Sequence, residues 1–189
     1  LNANDPLKDM RMVLQECKDM GVNSVSNIGP SISYVDKDSE IYNVLTSTGV
    51  TLQNEIEMLK LAREEMDMVS VGLAFTKEDS LAIVEGARPH IFCYHAGTTK
   101  GGLTGYDNGS TIEDTAAESE DVYAAVRKID PDVILVGHGA AMETPDDAQY
   151  MLVYTSGHGF WTGSSTERLP IERAVTEAAN EFTALKFSK

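Results

Sequence analysis

Basic residues are scarce in this chain. Fifteen Lys and Arg stand against 30 Asp and Glu in 189 residues, a formal net charge of −15. A surface of that sign repels phosphodiesters and anionic lipid, which excludes nucleic acid and anionic membrane as partners of the surface as a whole. Cysteine is scarce too. Cys17 and Cys93 show no metal-type spacing and too few thiols for a disulfide framework, which fits a reducing cytoplasm. No apolar run approaches the roughly 18 residues of a membrane helix. The opening "LNANDPLKDM" has no basic stretch followed by an apolar one, so no secretory signal is expected. There is no Gly-x-Gly-x-x-Gly turn after a strand, no P-loop and no internal repeat, which turns the reading away from dinucleotide-binding open sheets. An initiator Met is missing as well, and the expectation is a fragment of a longer protein.

What is present is ordinary globular material. Hydrophobic residues make up 42% of the chain, enough for one sizeable core and one domain over residues 1–189. The negative charge gathers in "DKDSE" and "IEDTAAESED", read as solvated helix faces. Helix-like and strand-like stretches alternate. "DPLKDMRMVLQECKDMG" reads as a helix with Asp5 as N-cap, Pro6 at its first position and Gly21 as its stop. "LQNEIEMLKLAREEM" has Leu52, Ile56, Leu59 and Met66 at helical spacing, with its charged residues on the other faces. Thr76 with Asp79, Thr111 with Asp114, and Thr144 with Asp147 are capping-box pairs. Between these helices lie "VNSVSNI", "MVSVGLAF", "HIFCYHAG", "VILVGHG" and a short "GHGFWTG", all strand-like, and "LPIERAVTEAANEFTALK" closes the chain as a helix.

Such alternation means parallel strands joined by helical crossovers, in a sheet buried on both faces. Counting "LNAN" as the tail of a strand gives about six strand–helix units. Gly29 to Gly49 is the one long connection, expected to hold a short helix and a mobile loop over one end of the sheet.

The strand ends carry the chemistry. One ends at Asn27, another at His95 before "AGTTKGGLTG", a third at His138 before "GAAM", and the last runs into "GHGFWTGSSTERLP". Parallel strands point their carboxyl ends one way, and the loops there form the active site of α/β folds. A single strand-end histidine is most often a hydrogen-bonded structural residue, but two at matching ends can meet in one pocket. Glycines beside them let backbone N–H groups approach an anion. "GSS" follows the last strand, where α/β barrels commonly bind phosphate. His158 reads as a packed residue and His90 as solvent-facing.

These segments resemble a known family. "YHAGTTKGGLTG", "HGAAMETPDDAQYML" and "GHGFWTGSSTERLPIERAV" look like the signature stretches of the phosphoenolpyruvate hydrolase-like family, also called TIM-barrel signal transduction proteins. A similar domain forms the C-terminal part of a plant virus-resistance protein. "NDPLKDM", "SNIGP" and "NEIEMLKLA" fit in the same order, and "GSSTERLP" is the most specific.

The resemblance implies a (β/α)8 TIM-barrel fold lacking its first two βα units, and hydrolysis of phosphoenolpyruvate or phosphonopyruvate. It carries over Asn27, Glu55, His95, Thr98, Thr99, Gly101, Gly102, His138, Gly139, Ser164, Ser165 and Glu167. In that reading His138 or His95 is the general base or acid, and Glu55 or Glu167 orients a histidine or water. The "GGLTG" and "GSS" loops hold the oxygens of a small anionic substrate. A divalent metal, magnesium or zinc, held by His95, His138 and a carboxylate stays open.

Two departures stand out. Ala140 and Ala141 replace the family's second glycine and proline, which predicts a loop less able to wrap a ligand. The paired aspartates that hold magnesium in the related mutases are not found. Open barrel edges would favour a homo-oligomer. The alternative function is a non-catalytic ligand-sensing or signal transduction barrel.

Overall fold

A computed structural model of the chain describes residues 1–28, 31–106 and 109–186. Gly29 and Pro30 of the "SNIGP" stretch therefore lie outside the described residues, as do Asp107 and Asn108.

In chain order the elements are α1 (Met10–Asp19), β1 (Ser24–Ser26), a 3-10 turn (Ile32–Tyr34), α2 (Glu40–Ser47), α3 (Leu52–Glu64) and β2 (Val69–Ala74). Then come α4 (Lys77–Ala87), β3 (Ile91–His95), α5 (Ile112–Ile129), β4 (Ile134–His138), α6 (Pro145–Tyr154), β5 (Gly159–Phe160), α7 (Ser164–Glu167) and α8 (Leu169–Thr183).

The five strands form one parallel sheet in the order β1-β2-β3-β4-β5. Sequential order decides the architecture. Crossovers between parallel strands are right-handed, so strands added always in one direction place every connecting helix on the same face. Helices α3 and α4, α4 and α5, and α5 and α6 pack side by side accordingly. A doubly wound sheet would reverse its order and lack this run. The result is an arc of TIM-like α/β structure. The sheet stays open, because β1 and β5 each pair along one side only.

The expectation of six units is corrected to five strands. "LNAN" forms no strand; instead the Leu1 amine donates to the Ser26 carbonyl beside β1.

The main core lies between sheet and helices. Phe92, Tyr94 and Leu135 of the strands meet Ile56, Leu59, Ile83, Val84, Val122 and Val126 of α3, α4 and α5. Gly72 is required here: a Cβ on it would lie 2.7 Å from Cγ2 of Ile83, so α4 sits close on β2. Local signals set most helix starts. Thr111 and Thr144 make complete capping boxes with Asp114 and Asp147, and Pro145 opens α6. Thr76 caps α4, but the box is half made. The Asp79 carboxylate turns to Lys37 at 2.8 Å, an ion pair that ties the β1–α3 connection to α4.

Two helix readings change. The N-cap of α1 is Asp9, not Asp5, and Asp5 instead makes a turn with Leu7 N–H at 3.0 Å. In α3, Glu55 falls on the buried face with Ile56 and Leu59 rather than on a charged outer face. Helix α8 leaves the sheet. Only its Leu169 is buried, while Ile171, Val175 and Phe182 stand in solvent.

Candidate functional site

The strand ends converge as their polarity requires. His95 and His138 are direct partners in the β3–β4 ladder, so both rings leave the sheet at its carboxyl edge. The rings meet edge to face, centroids 4.4 Å apart. Phe75, which directly follows β2, lies 4.2 Å from the His95 ring on its other side, and Tyr34 packs edge-on against Phe75. Trp161, just past β5, flanks His138 at 6.4 Å. The strand-end rule that found the histidines applies equally to Phe75 and Trp161, which sequence reasoning passed over.

The ring nitrogens are held in opposite states. His138 Nδ1 lies 2.7 Å from the Trp161 carbonyl. A carbonyl only accepts, so Nδ1 carries a hydrogen, and in the neutral ring Nε2 keeps its lone pair. His95 Nδ1 instead accepts from the Gly97 N–H at 3.2 Å, so in the neutral ring the hydrogen sits on Nε2. Burial, reinforced by repulsion from His138, brings the His95 pKa down to about 4, which keeps that ring neutral at physiological pH. The pair therefore offers one proton acceptor and one hydrogen-bond donor.

The other two histidines show what position does. His90 and His158 precede strands rather than end them. Each gives its Nδ1 to a backbone N–H of the neighbouring strand, Ser70 at 3.1 Å and Leu135 at 2.9 Å. They fasten the opposite edge of the sheet.

The loops after β3 and β4 are stitched together under the histidines. Ala96 N–H donates to the His138 carbonyl at 2.9 Å, Ala140 N–H to Gly97 at 2.9 Å, and Lys100 N–H to Ala140 at 2.9 Å. This stitch needs left-handed backbone at Gly139, φ +85°, and at Ala140, φ +47°. Ala140 carries that strain of roughly 1–2 kcal/mol because both of its backbone groups are bonded. Gly139 has no such freedom to change. A Cβ there would fall 1.9 Å from the Gly97 oxygen and 3.1 Å from Cε1 of His95. Gly139→Ala is expected to cost about 2–3 kcal/mol of stability, read as a fall in Tm of roughly 2–4 °C per kcal/mol. An unchanged Tm would refute the stitched loop.

A cavity of about 520 Å3 opens over the two rings. Thr98, Thr99 and Ser164 line it with His95 and His138, and Tyr34 Oη reaches Thr98 Oγ1 at 3.4 Å. The remaining residues singled out in the sequence lie elsewhere.

Asn27 is buried, and its amide imitates backbone. Its Nδ2 donates to Leu73 O at 2.9 Å and its Oδ1 accepts from Leu73 N–H at 2.8 Å, extending β1 onto β2. Glu55 orients neither histidine. Its carboxylate accepts from Asn27 Nδ2 at 2.6 Å, Ser31 Oγ at 2.8 Å, Ile32 N–H at 3.0 Å and Asn4 Nδ2 at 3.4 Å. Burial raises its pKa against the pull of these donors.

Gly101 and Gly102 of "GGLTG" do not face the histidine cavity. Both are left-handed, and the loop is claimed by the start of α8. Leu103 N–H donates to Glu172 at 2.7 Å, while Arg168 donates to the Gly101 carbonyl at 2.9 Å. A carboxylate of the chain itself thus fills the position expected for a ligand anion. No local pattern signals this contact, which spans 69 residues. Ser165 faces a separate cavity with Thr144 and Phe160, and Glu167 is exposed on α7.

The metal set left open by the sequence does not fit. Among the described residues no three of His, Cys, Asp and Glu converge, so no carboxylate joins the two imidazoles. Cys93 is fully buried, its thiol pKa pushed up by burial, and it has no nucleophilic role here. Among the described residues no helix is long and apolar enough to cross a membrane.

Comparison with known proteins identifies the family. The phosphoenolpyruvate hydrolase-like family model matches residues 1–185, and the chain belongs to this family. Two tomato proteins (Solanum lycopersicum), ToMV susceptible protein tm-1(GCR26) and ToMV resistance protein Tm-1(GCR237), are each 30% identical over 184 residues, 97% of this chain and 24% of theirs. A putative transcriptional regulatory protein, y4pA, of Sinorhizobium fredii is 22% identical over 184 residues, 29% of its length. The chain thus spans about a quarter of the length of these curated relatives.

Proposed function

We propose that this member of the phosphoenolpyruvate hydrolase-like family hydrolyses a small phosphorylated or phosphonylated keto acid, with His138 as general base and His95 as a fixed hydrogen-bond donor. The supporting observation is the pair of opposed ring states, Nδ1 of His138 on a carbonyl and Nδ1 of His95 on an N–H. With phosphoenolpyruvate, a water oxygen attacks phosphorus as His138 Nε2 takes its proton. The P–O bond to the enol breaks, and its electron pair passes to the enolate oxygen, which accepts from His95 Nε2–H. Solvent protonates the enolate at carbon and His138 returns the water's proton to solvent, which completes pyruvate and phosphate. With phosphonopyruvate the C–P bond breaks instead and yields the same products. Thr98, Thr99 and Ser164 line the cavity, and their hydroxyls are the donors assigned to the phosphoryl or carboxylate oxygens.

A second reading has its own support. Among the described residues no Lys or Arg lines the cavity, and a relative is named as a putative transcriptional regulatory protein. Both suit a barrel that senses a ligand without turning it over. One experiment separates the two. The 189-residue chain is mixed with phosphoenolpyruvate or phosphonopyruvate, and both pyruvate release and Tm are followed. Turnover is the expected result. A rise in Tm without pyruvate supports sensing, because a ligand of the native state stabilises by RT ln(1 + [L]/Kd). Neither signal overturns both readings.

A further inference from the structure

The cavity over the imidazoles exceeds what a three-carbon acid needs. Its volume of about 520 Å3 falls among pockets that enclose drug-sized ligands, roughly 300–1,000 Å3. Its two sides also differ in chemistry. The floor is the imidazole pair with its neighbouring hydroxyls. The rest of the lining includes the apolar Ile32, Val35, Leu45 and Val50, all contributed by the connection between β1 and α3, with the Asn2 and Asn4 side chains beside them. Val35, Leu45 and Val50 are only half-buried, so apolar surface stays wet on a concave wall. Among the described residues no Lys or Arg lines the cavity to neutralise further negative charge. An apolar substituent adds affinity there without adding charge.

Resting on the head-group reading above, we propose that the site takes a 2-keto acid, or its enol phosphate, that carries an apolar substituent of branched-chain or phenyl size. The keto-acid head sits on His95 and His138. The tail lies against Ile32, Val35, Leu45 and Val50 and fills the volume that pyruvate leaves empty.

Calorimetric titration of the whole chain with pyruvate, 2-oxobutyrate, 2-oxoisovalerate, 2-oxoisocaproate and phenylpyruvate tests this. Affinity is expected to rise about fourfold per added methylene, equivalent to about 0.8 kcal/mol each, until the wall is covered. Leu45→Asp is expected to flatten that series. Should Leu45→Asp not fold, Val50→Thr keeps the side-chain shape and reads the same loss in milder form. If pyruvate binds and affinity stays level or falls with tail length, the tail proposal is overturned and the head-group reading stands. If no member of the series binds and phosphoenolpyruvate does not bind either, the head-group reading fails and takes this proposal with it.

Discussion

His138→Ala is expected to lower pyruvate release from phosphoenolpyruvate by about 10²–10⁴-fold, the usual range for a positioned general base. The substitution removes the one ring whose Nε2 lone pair is free by geometry, since its Nδ1 hydrogen is committed to Trp161 O. His95 cannot take over. Its free nitrogen carries the hydrogen, and its pKa near 4 keeps it from cycling protons at neutral pH. The loss should appear in kcat more than in KM, because the proton moves only on the way to the transition state. Stability should change little by comparison. His138 is half-buried and gives up one hydrogen bond, a net loss of about 1 kcal/mol. Equal rates for wild type and His138→Ala, with both folded, would remove His138 from the mechanism.

Glu55→Ala should have the largest effect on stability, a loss of about 3–5 kcal/mol, which lowers Tm by roughly 10 °C. The carboxylate anchors four donors from three segments: the Asn4 turn, the Asn27 strand end, and the Ser31–Ile32 turn. Truncation leaves the Ser31 hydroxyl, the Ile32 N–H and one of the two Asn27 amide hydrogens buried without an acceptor, each a cost of about 1–3 kcal/mol if unrelaxed. It also frees the connection that supplies Ile32 and Val35 to the cavity.

Glu55→Gln keeps the volume but turns an amide N–H2 toward donors, and an intermediate loss is expected. The pH dependence separates the two causes. Burial raises the folded pKa of Glu55 above its unfolded value. Its contribution is therefore fully present below the unfolded pKa and is lost as pH rises through the folded one. Wild type should gain stability over Glu55→Gln on acidification through that window. Thermal unfolding at stepped pH reads this directly, and parallel pH curves would refute it.

Much of the frame is legible residue by residue. Thr111 with Asp114, and Thr144 with Pro145 and Asp147, start helices by bonds made within four residues. Their chemistry is local, so spacing alone reveals it. His95 and His138 are legible because each ends an apolar run of the same length and polarity, and parallel strands align such ends. Asp5 and Asp9 show the limit of local signals. Either can cap a helix, and the choice falls on Asp9, after which α1 packs Leu14 into the core with Val25 and Ala62.

Glu55 marks the other limit. On a helical wheel it belongs with the charged residues of α3. Its burial depends on donors 24 and 28 residues away at Ser31 and Asn27, contacts that no window along the chain contains. The glycines of "GGLTG" read as an anion cradle; in the folded chain the Glu172 carboxylate from α8 takes the Leu103 N–H of that loop instead.

The amino-acid order alone determined the strands, the direction of their carboxyl ends and the two histidines placed there, because hydrophobic periodicity and capping act over a few residues. The packed molecule decided which nitrogen of each ring carries its hydrogen, where Glu55 and Glu172 spend their charge, and which apolar side chains face the cavity. Those outcomes depend on groups brought together from distant positions, and only the folded backbone sets their distances.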